Sequence, residues 1–189
     1  ETMDHWKAQG KEAWELLTPA GPVAETRLAV SKTPLRAPFA GGLTDLKSYA
    51  HRFGGVTVSC TIDRYVYVAA KRNHEPCYNL RYLDVLERVS EAGQIRHDLI
   101  RESIKLTGMD GVPLDIAIMV DLYAACGLGS SGAVTVGILH ALHALKGERI
   151  ERYALLQEAA HVEVDILQGA SGYHDPAICT LGGLRLIEY

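Results

Sequence analysis

Apolar and polar positions alternate over most of the chain with two different periods. Asp4 to Leu17 brings Trp6, Ala13, Trp14 and Leu17 onto or near one face at helical spacing, and Thr18-Pro19-Ala20-Gly21-Pro22 stops it. Glu25 to Val30 and Leu35 to Ala40 read as two strands of a hairpin or strand-loop unit. Val56 to Ala70 alternates with period two, placing Val56, Val58, Cys60 and Ile62 on one face, and changes phase at Asp63-Arg64, the mark of a bulge or bend. Leu83 to Leu106 carries a helical period broken near Gly93, with Ile95, Leu99 and Ile104 as its buried stripe. Val112 to Leu122 is a near-continuous apolar strand, Ser131 to Lys146 and Glu151 to Leu167 are helices, and Gly182 to Tyr189 starts a further strand. This order of strands and helices predicts an α+β fold, a two-layer α/β sandwich.

The strand ending at Leu122 runs into Cys126-Gly127-Leu128-Gly129-Ser130-Ser131-Gly132-Ala133, which opens the next helix. Glycines let a backbone approach a ligand closely, and a helix start offers unpaired N–H groups at the positive end of its dipole. The run reads either as a phosphate cradle or as a plain strand-to-helix turn that uses the same residues for turning and capping. No Gly-Lys-Ser/Thr ends it, and no GxGxxG with a downstream ribose-binding carboxylate is present.

Composition narrows the class. The 189 residues, 48% hydrophobic and 22% charged, suffice for one substantial core, and a formal net charge of -4 argues against a general nucleic-acid binder. No apolar run reaches membrane-span length and no charged start precedes an apolar signal core, so the expectation is a cytoplasmic protein without a membrane partner. Cys60, Cys77, Cys126 and Cys179 form no CxxC pair and read as isolated thiols. Cys126 stands apart, since a helix N-terminus lowers a thiol pKa and sensitises it to alkylation.

A second segment changes the weight of the glycine-serine loop. Pro34-Leu35-Arg36-Ala37-Pro38-Phe39-Ala40-Gly41-Gly42-Leu43-Thr44-Asp45-Leu46, followed by Gly54-Gly55, together with GLGSSGA, resembles the GHMP kinases. F-A-G-G-x-T-D is most similar to the sugar-kinase branch, the heptose 7-phosphate kinases and fucokinase-type enzymes. The resemblance runs from about Pro34 to Tyr189. It implies a ribosomal protein S5 domain 2-like N-terminal domain over residues 23–189, preceded by a helical extension over 1–22. It also implies a C-terminal domain with a third glycine motif, for which no segment of this sequence stands, so a partner chain or an oligomer is expected to supply it.

The activity implied is ATP-dependent phosphorylation of a hydroxyl on a small-molecule sugar or sugar phosphate, with heptose 7-phosphate the first acceptor to consider. A kinase for a non-sugar acceptor and a noncatalytic GHMP-fold binding or regulatory subunit are the alternatives. The resemblance assigns the ATP phosphates to Gly127, Leu128, Gly129, Ser130, Ser131 and Gly132. It assigns Mg2+ to Ser131, with Ser130 as the alternative, and to Glu163, twelve residues before Asp175. Asp175 matches the catalytic aspartate that accepts or orients the acceptor proton. Arg36 offers a planar fork of donors to a phosphate, whether transferring or on the acceptor, and otherwise reads as a surface ion pair. Thr44 and Asp45 resemble sugar-hydroxyl ligands, the other reading of Asp45 being a helix N-cap before Leu46. His174 is a candidate proton acceptor or sugar ligand.

The chain departs from the family pattern at four places. Leu43 replaces a glycine, His174 precedes the aspartate where no lysine is present, Pro176 follows it, and Tyr123-Ala124-Ala125-Cys126 precedes GLGSS. The Asp-Pro step is expected to hold Asp175 in an extended turn. Asp63 and Arg64 match a recurrent family pair and equally suit a structural ion pair.

Overall fold

A computed structural model describes residues 27–122, 127–169 and 171–189. The N-terminal helix expected at Asp4 to Leu17, its turn, and Tyr123 to Cys126 lie outside the described residues. The described elements, in order, are β1 (Leu28–Ala40), α1 (Lys47–Phe53), β2 (Val56–Arg72), β3 (Tyr78–Tyr82), β4 (Val85–Val89), α2 (Asp98–Leu106), β5 (Leu114–Val120), α3 (Ser130–Lys146), α4 (Arg152–Ala160), α5 (His174–Leu181) and β6 (Leu184–Glu188). One mixed sheet runs β1-β2-β5-β3-β4, with only β3 and β5 parallel. The long β2 pairs with β5 over Val66–Arg72 and with β6 over Val56–Cys60.

Helices cover one face of this sheet. α3 is the central one: Ala133, Val136, Ile138, Leu139, Leu142 and Leu145 are buried, packed with Val66 and Val68 of β2 and Leu114 and Ile116 of β5. Gly137 lets the helix lie close to β1, since a Cβ there would sit 3.2 Å from the Ser31 and Thr33 hydroxyl oxygens, and Ser31 donates to the Gly137 carbonyl at 2.7 Å. The two-layer architecture expected from the element order is the one observed.

Four local expectations give way to tertiary context. The hairpin expected between Glu25 and Ala40 is, over its described part, one continuous strand, because β2 is long enough to pair with β1 from Leu28 to Ala40. The phase change at Asp63-Arg64 is the predicted bulge: Pro34 opposes Tyr65 but Arg36 opposes Thr61, so Ile62, Asp63 and Arg64 face Leu35 alone. Before the bulge, however, Thr57 and Ser59 are the residues that point inward, while Val56 is exposed. Their hydroxyls find partners there, Thr57 with the Tyr189 hydroxyl at 2.8 Å and Ser59 with the Ala37 carbonyl at 3.0 Å.

The helical period read over Leu83 to Leu106 holds only from Asp98 onward. Residues 78–89 form a tight hairpin, with Tyr82 opposite Val85 and Leu83 taking φ +49° in the two-residue loop. Its exposed Val85 and Leu86 lie on an edge strand, where apolar spacing follows no core-facing period. Finally, Asp175 stands in the first turn of α5 rather than in an extended turn. Pro176 is compatible with that placement because N–H groups of the first helical turn have no intrahelical partner to lose.

Candidate functional site

The loop before α3 is shaped by glycines in the left-handed region, Gly127 at φ +70° and Gly129 at φ +74°. A Cβ on Gly129 would fall 2.9 Å from Arg36 Cγ and 3.4 Å from Asp175 Cγ, and one on Gly132 would fall 2.8 Å from both the backbone carbon and Cβ of Asp175. These glycines therefore set the distance between the start of α3, β1 and the start of α5. The first N–H groups of α3, at Ser130, Ser131 and Gly132, have no acceptor within the helix and stand at the positive end of its dipole.

Arg36 joins the three elements. Its main-chain N–H donates to the Leu128 carbonyl at 3.0 Å and its Nη1 donates to the Gly127 carbonyl. Nε and Nη2 both reach Asp175 Oδ1, at 2.8 and 2.6 Å. The ion pair is largely withdrawn from water, so it is an internal strut and not a surface pair. All of these contacts fall on Oδ1, and Oδ2 has no hydrogen-bond partner among the described residues.

Asp45 locks the second loop to the first turn of α5. Its Oδ2 accepts the His174 N–H at 3.1 Å and its carbonyl accepts the Tyr173 N–H at 3.2 Å. A Cβ on Gly172 would lie 2.1 Å from that same Oδ2, so only glycine allows the approach. Asp45 does not cap α1: the residue before the helix is Leu46, without a side-chain cap bond. Thr44 donates to the Gly41 carbonyl at 2.7 Å and accepts the Val56 N–H at 3.1 Å, which commits its hydroxyl to the turn and holds Asp45 in place. Leu43, in the position of the missing glycine, adopts φ +71° with an exposed side chain, so the glycine-like backbone path is kept.

His174 is 4% exposed, with Nδ1 3.4 Å from Asp175 Oδ1 and Nε2 buried without a partner. Burial lowers its pKa below the usual 6.5, so the ring is neutral near pH 7. Glu163 is the most unusual group. After α4 the chain widens into a π-turn over His161–Ile166, which turns Val162, Glu163 and Val164 inward. Glu163 is 3% exposed and neither carboxylate oxygen has a hydrogen-bond partner. Burial pushes its pKa up to about 7, held back in part by the nearby Thr135, Ser131 and Ser171 hydroxyls and raised further by the charge of Asp175. A buried, unpartnered carboxylate is costly, and a hard cation beside it would relieve that cost.

The structure thus gathers Arg36, Asp45, Glu163, His174, Asp175 and the loop 127–132 around the start of α3. Thr135, Ser171 and Gly172 join them without having been singled out in the sequence. The spacing of Ser131 and Thr135, one helical turn apart, was the available signal for the first of these. Asp63 and Arg64 lie apart, exposed, with Arg64 donating to the Asp63 main-chain carbonyl and not to its carboxylate. Cys179 is buried beneath Gly129, where burial raises its pKa, while Cys126 is outside the described residues.

Residues 88–183 match the family model described as the GHMP kinases N terminal domain. The chain belongs to the GHMP kinase family. This GHMP kinase domain is 40% identical over 79 residues to a mevalonate kinase of Methanothermobacter thermautotrophicus, a match covering 42% of this chain and 26% of that protein. It is 23% identical over 170 residues to the D-glycero-alpha-D-manno-heptose 7-phosphate kinase of Campylobacter jejuni, covering 84% of this chain and 50% of that protein. Among solved structures it resembles a D-glycero-D-manno-heptose 1-phosphate kinase from Bacteroides thetaiotaomicron, with a TM-score of 0.76 and 24% identity over 86% of this chain and 56% of that one. The chain spans half or less of the length of the curated relatives it matches. No helix of the described residues is long and apolar enough to cross a membrane.

Proposed function

We propose that this GHMP kinase domain is the ATP-binding unit, residues 23–189, of an enzyme that transfers the γ-phosphoryl group of ATP to a hydroxyl of a sugar or sugar phosphate, with heptose 7-phosphate the first acceptor to test. The observation that carries this reading is the joining of Asp175, through Arg36, to the start of α3 beside the buried, unpartnered Glu163.

In this reading the N–H groups of Gly127 to Gly132 and the dipole of α3 hold the phosphates. Arg36 positions Asp175 through Oδ1 and leaves Oδ2 to accept or orient the proton of the attacking hydroxyl, a contribution of about 10²–10⁴-fold. Asp45 and His174, bonded to each other at the mouth of α5, border the acceptor, and Thr44 keeps their loop in register. Ser131 and Glu163 are hard oxygen donors that fit Mg2+, with Ser130 the alternative hydroxyl. The ion when bound neutralises charge on the phosphates.

The test is mass spectrometry of products after incubating the full-length protein with Mg-ATP and a panel of hexoses, heptoses, their monophosphates and mevalonate. A phosphorylated sugar formed by the wild type and lost in Asp175→Asn supports the reading. The mevalonate kinase relative favours a non-sugar acceptor as the second reading, and phosphorylated mevalonate alone would establish it. Nucleotide binding with no product from any acceptor would replace both with a noncatalytic binding subunit.

A further inference from the structure

We propose that the Thr135 hydroxyl oxygen is a third protein ligand of the divalent-cation site formed by Ser131 and Glu163. The inference rests on the reading of that site given above and adds a residue to it.

Thr135 lies one turn beyond Ser131 on α3, so both hydroxyls share a helix face. It is 0% exposed and close enough to Glu163 to influence its protonation. Its single hydroxyl proton is donated to the Ser131 carbonyl at 3.0 Å. Toward Glu163, Thr135 therefore presents lone pairs only, and an ionised carboxylate likewise only accepts. The carboxylate has no donor on either oxygen, and with the Ser131 carbonyl nearby the corner is a cluster of oxygen acceptors with no proton between them. Such a cluster sealed from water is stable only when a positive charge bridges it. Carboxylate and hydroxyl oxygens are the donor set of Mg2+, Mn2+ and Ca2+ and not of softer metals. The widened turn at His161–Ile166 and the glycine at 132 bring this corner directly behind Asp175, on the side of the phosphate loop.

Ordinary back-bonding of a threonine within its helix would explain the Ser131 contact alone, and the experiment separates the two. Mn2+ binding to the full-length protein in the presence of ADP is followed by electron paramagnetic resonance for the wild type and for Thr135→Val, Thr135→Ser and Glu163→Gln. ADP affinity without metal serves as the control for folding. The expected result is that Thr135→Val, which keeps the shape and removes the oxygen, weakens Mn2+ binding by at least about tenfold, whereas Thr135→Ser stays close to wild type. Metal-free ADP affinity stays unchanged in both. Wild-type Mn2+ affinity in Thr135→Val with loss in Glu163→Gln would overturn the role of Thr135 and leave the cation site standing. Wild-type Mn2+ affinity in Glu163→Gln would overturn the site itself, and Thr135 with it.

Discussion

Adding one methyl group at Gly132 tests whether α3 and α5 are in contact through that glycine. On helix propensity alone, Gly132→Ala stabilises by at most about 1 kcal/mol, because alanine loses less backbone entropy in a helix. The packing predicts the opposite sign. The new Cβ would lie 2.8 Å from the Asp175 backbone carbon and Cβ and 3.0 Å from the Pro176 nitrogen. Carbon atoms prefer about 3.5 Å or more, so α5 must withdraw by about 0.7 Å, and its backbone has no flexible end to bend aside. Overpacking of this kind costs about 1–3 kcal/mol, which outweighs the propensity gain and leaves a net loss of about 1–2 kcal/mol. For a domain of this size that is a fall in Tm of roughly 3–6 °C. Urea and thermal unfolding check it, with Gly93→Ala as the control, since nothing lies within 4 Å of a Cβ at Gly93. The same displacement moves Asp175, so turnover in the assay of function should drop by up to about 10²-fold. A Gly132→Ala protein as stable as the wild type, or more so, would refute the contact.

Three further outcomes follow from other corners of the molecule. A Glu163 carboxyl held at about 7 keeps a proton that the unfolded chain releases near 4.5, so metal-free stability falls as pH rises through that interval, by about 3 kcal/mol at 1.36 kcal/mol per pH unit. Glu163→Gln should remove that part of the slope in urea titrations with chelator at pH 5 and 8, and identical slopes in the two proteins would contradict it. His143 is raised above its usual 6.5 by hydrogen bonding to Glu158 and also to Glu148, at 2.8 and 2.7 Å, against the opposing effect of burial. Its stabilisation of the α3–α4 contact is full below pH 6.5 and fades as pH rises through the elevated value. The stability gap between wild type and His143→Gln should therefore be widest near pH 6 and narrow toward pH 9. Leu43→Gly relieves a left-handed backbone that costs leucine about 1–2 kcal/mol, less the added entropy of glycine of roughly 0.5–1 kcal/mol. That variant should unfold at the same or slightly higher urea concentration, and a clear loss would show that the Leu43 side chain has a packing role.

What the amino-acid sequence determined by itself was whatever depends on neighbours close along the chain. The helix from Ser131 to Lys146, the strand leading into its loop, the bulge at Asp63-Arg64 and the glycine-serine turn all rest on local periodicity and on glycine's access to positive φ. Those signals, with the Gly-Gly-x-Thr-Asp segment, were enough to indicate the family and most of the residues now seen around the start of α3. Tertiary structure decided where a position's surroundings come from distant segments. Val85–Val89 is a strand because Tyr78–Tyr82 lies beside it, and Thr57 and Ser59 turn inward because Tyr189 and Ala37 offer their hydroxyls partners. The pairing of Arg36 with Asp175 spans 139 residues, and no spacing rule could distinguish it from a surface pair. Glu163 shows the difference most plainly. Its sequence neighbours make it one more helical glutamate, and only the π-turn and the packing of α3 remove its water without replacing it, which turns an ordinary carboxylate into the group with the greatest need of a cation.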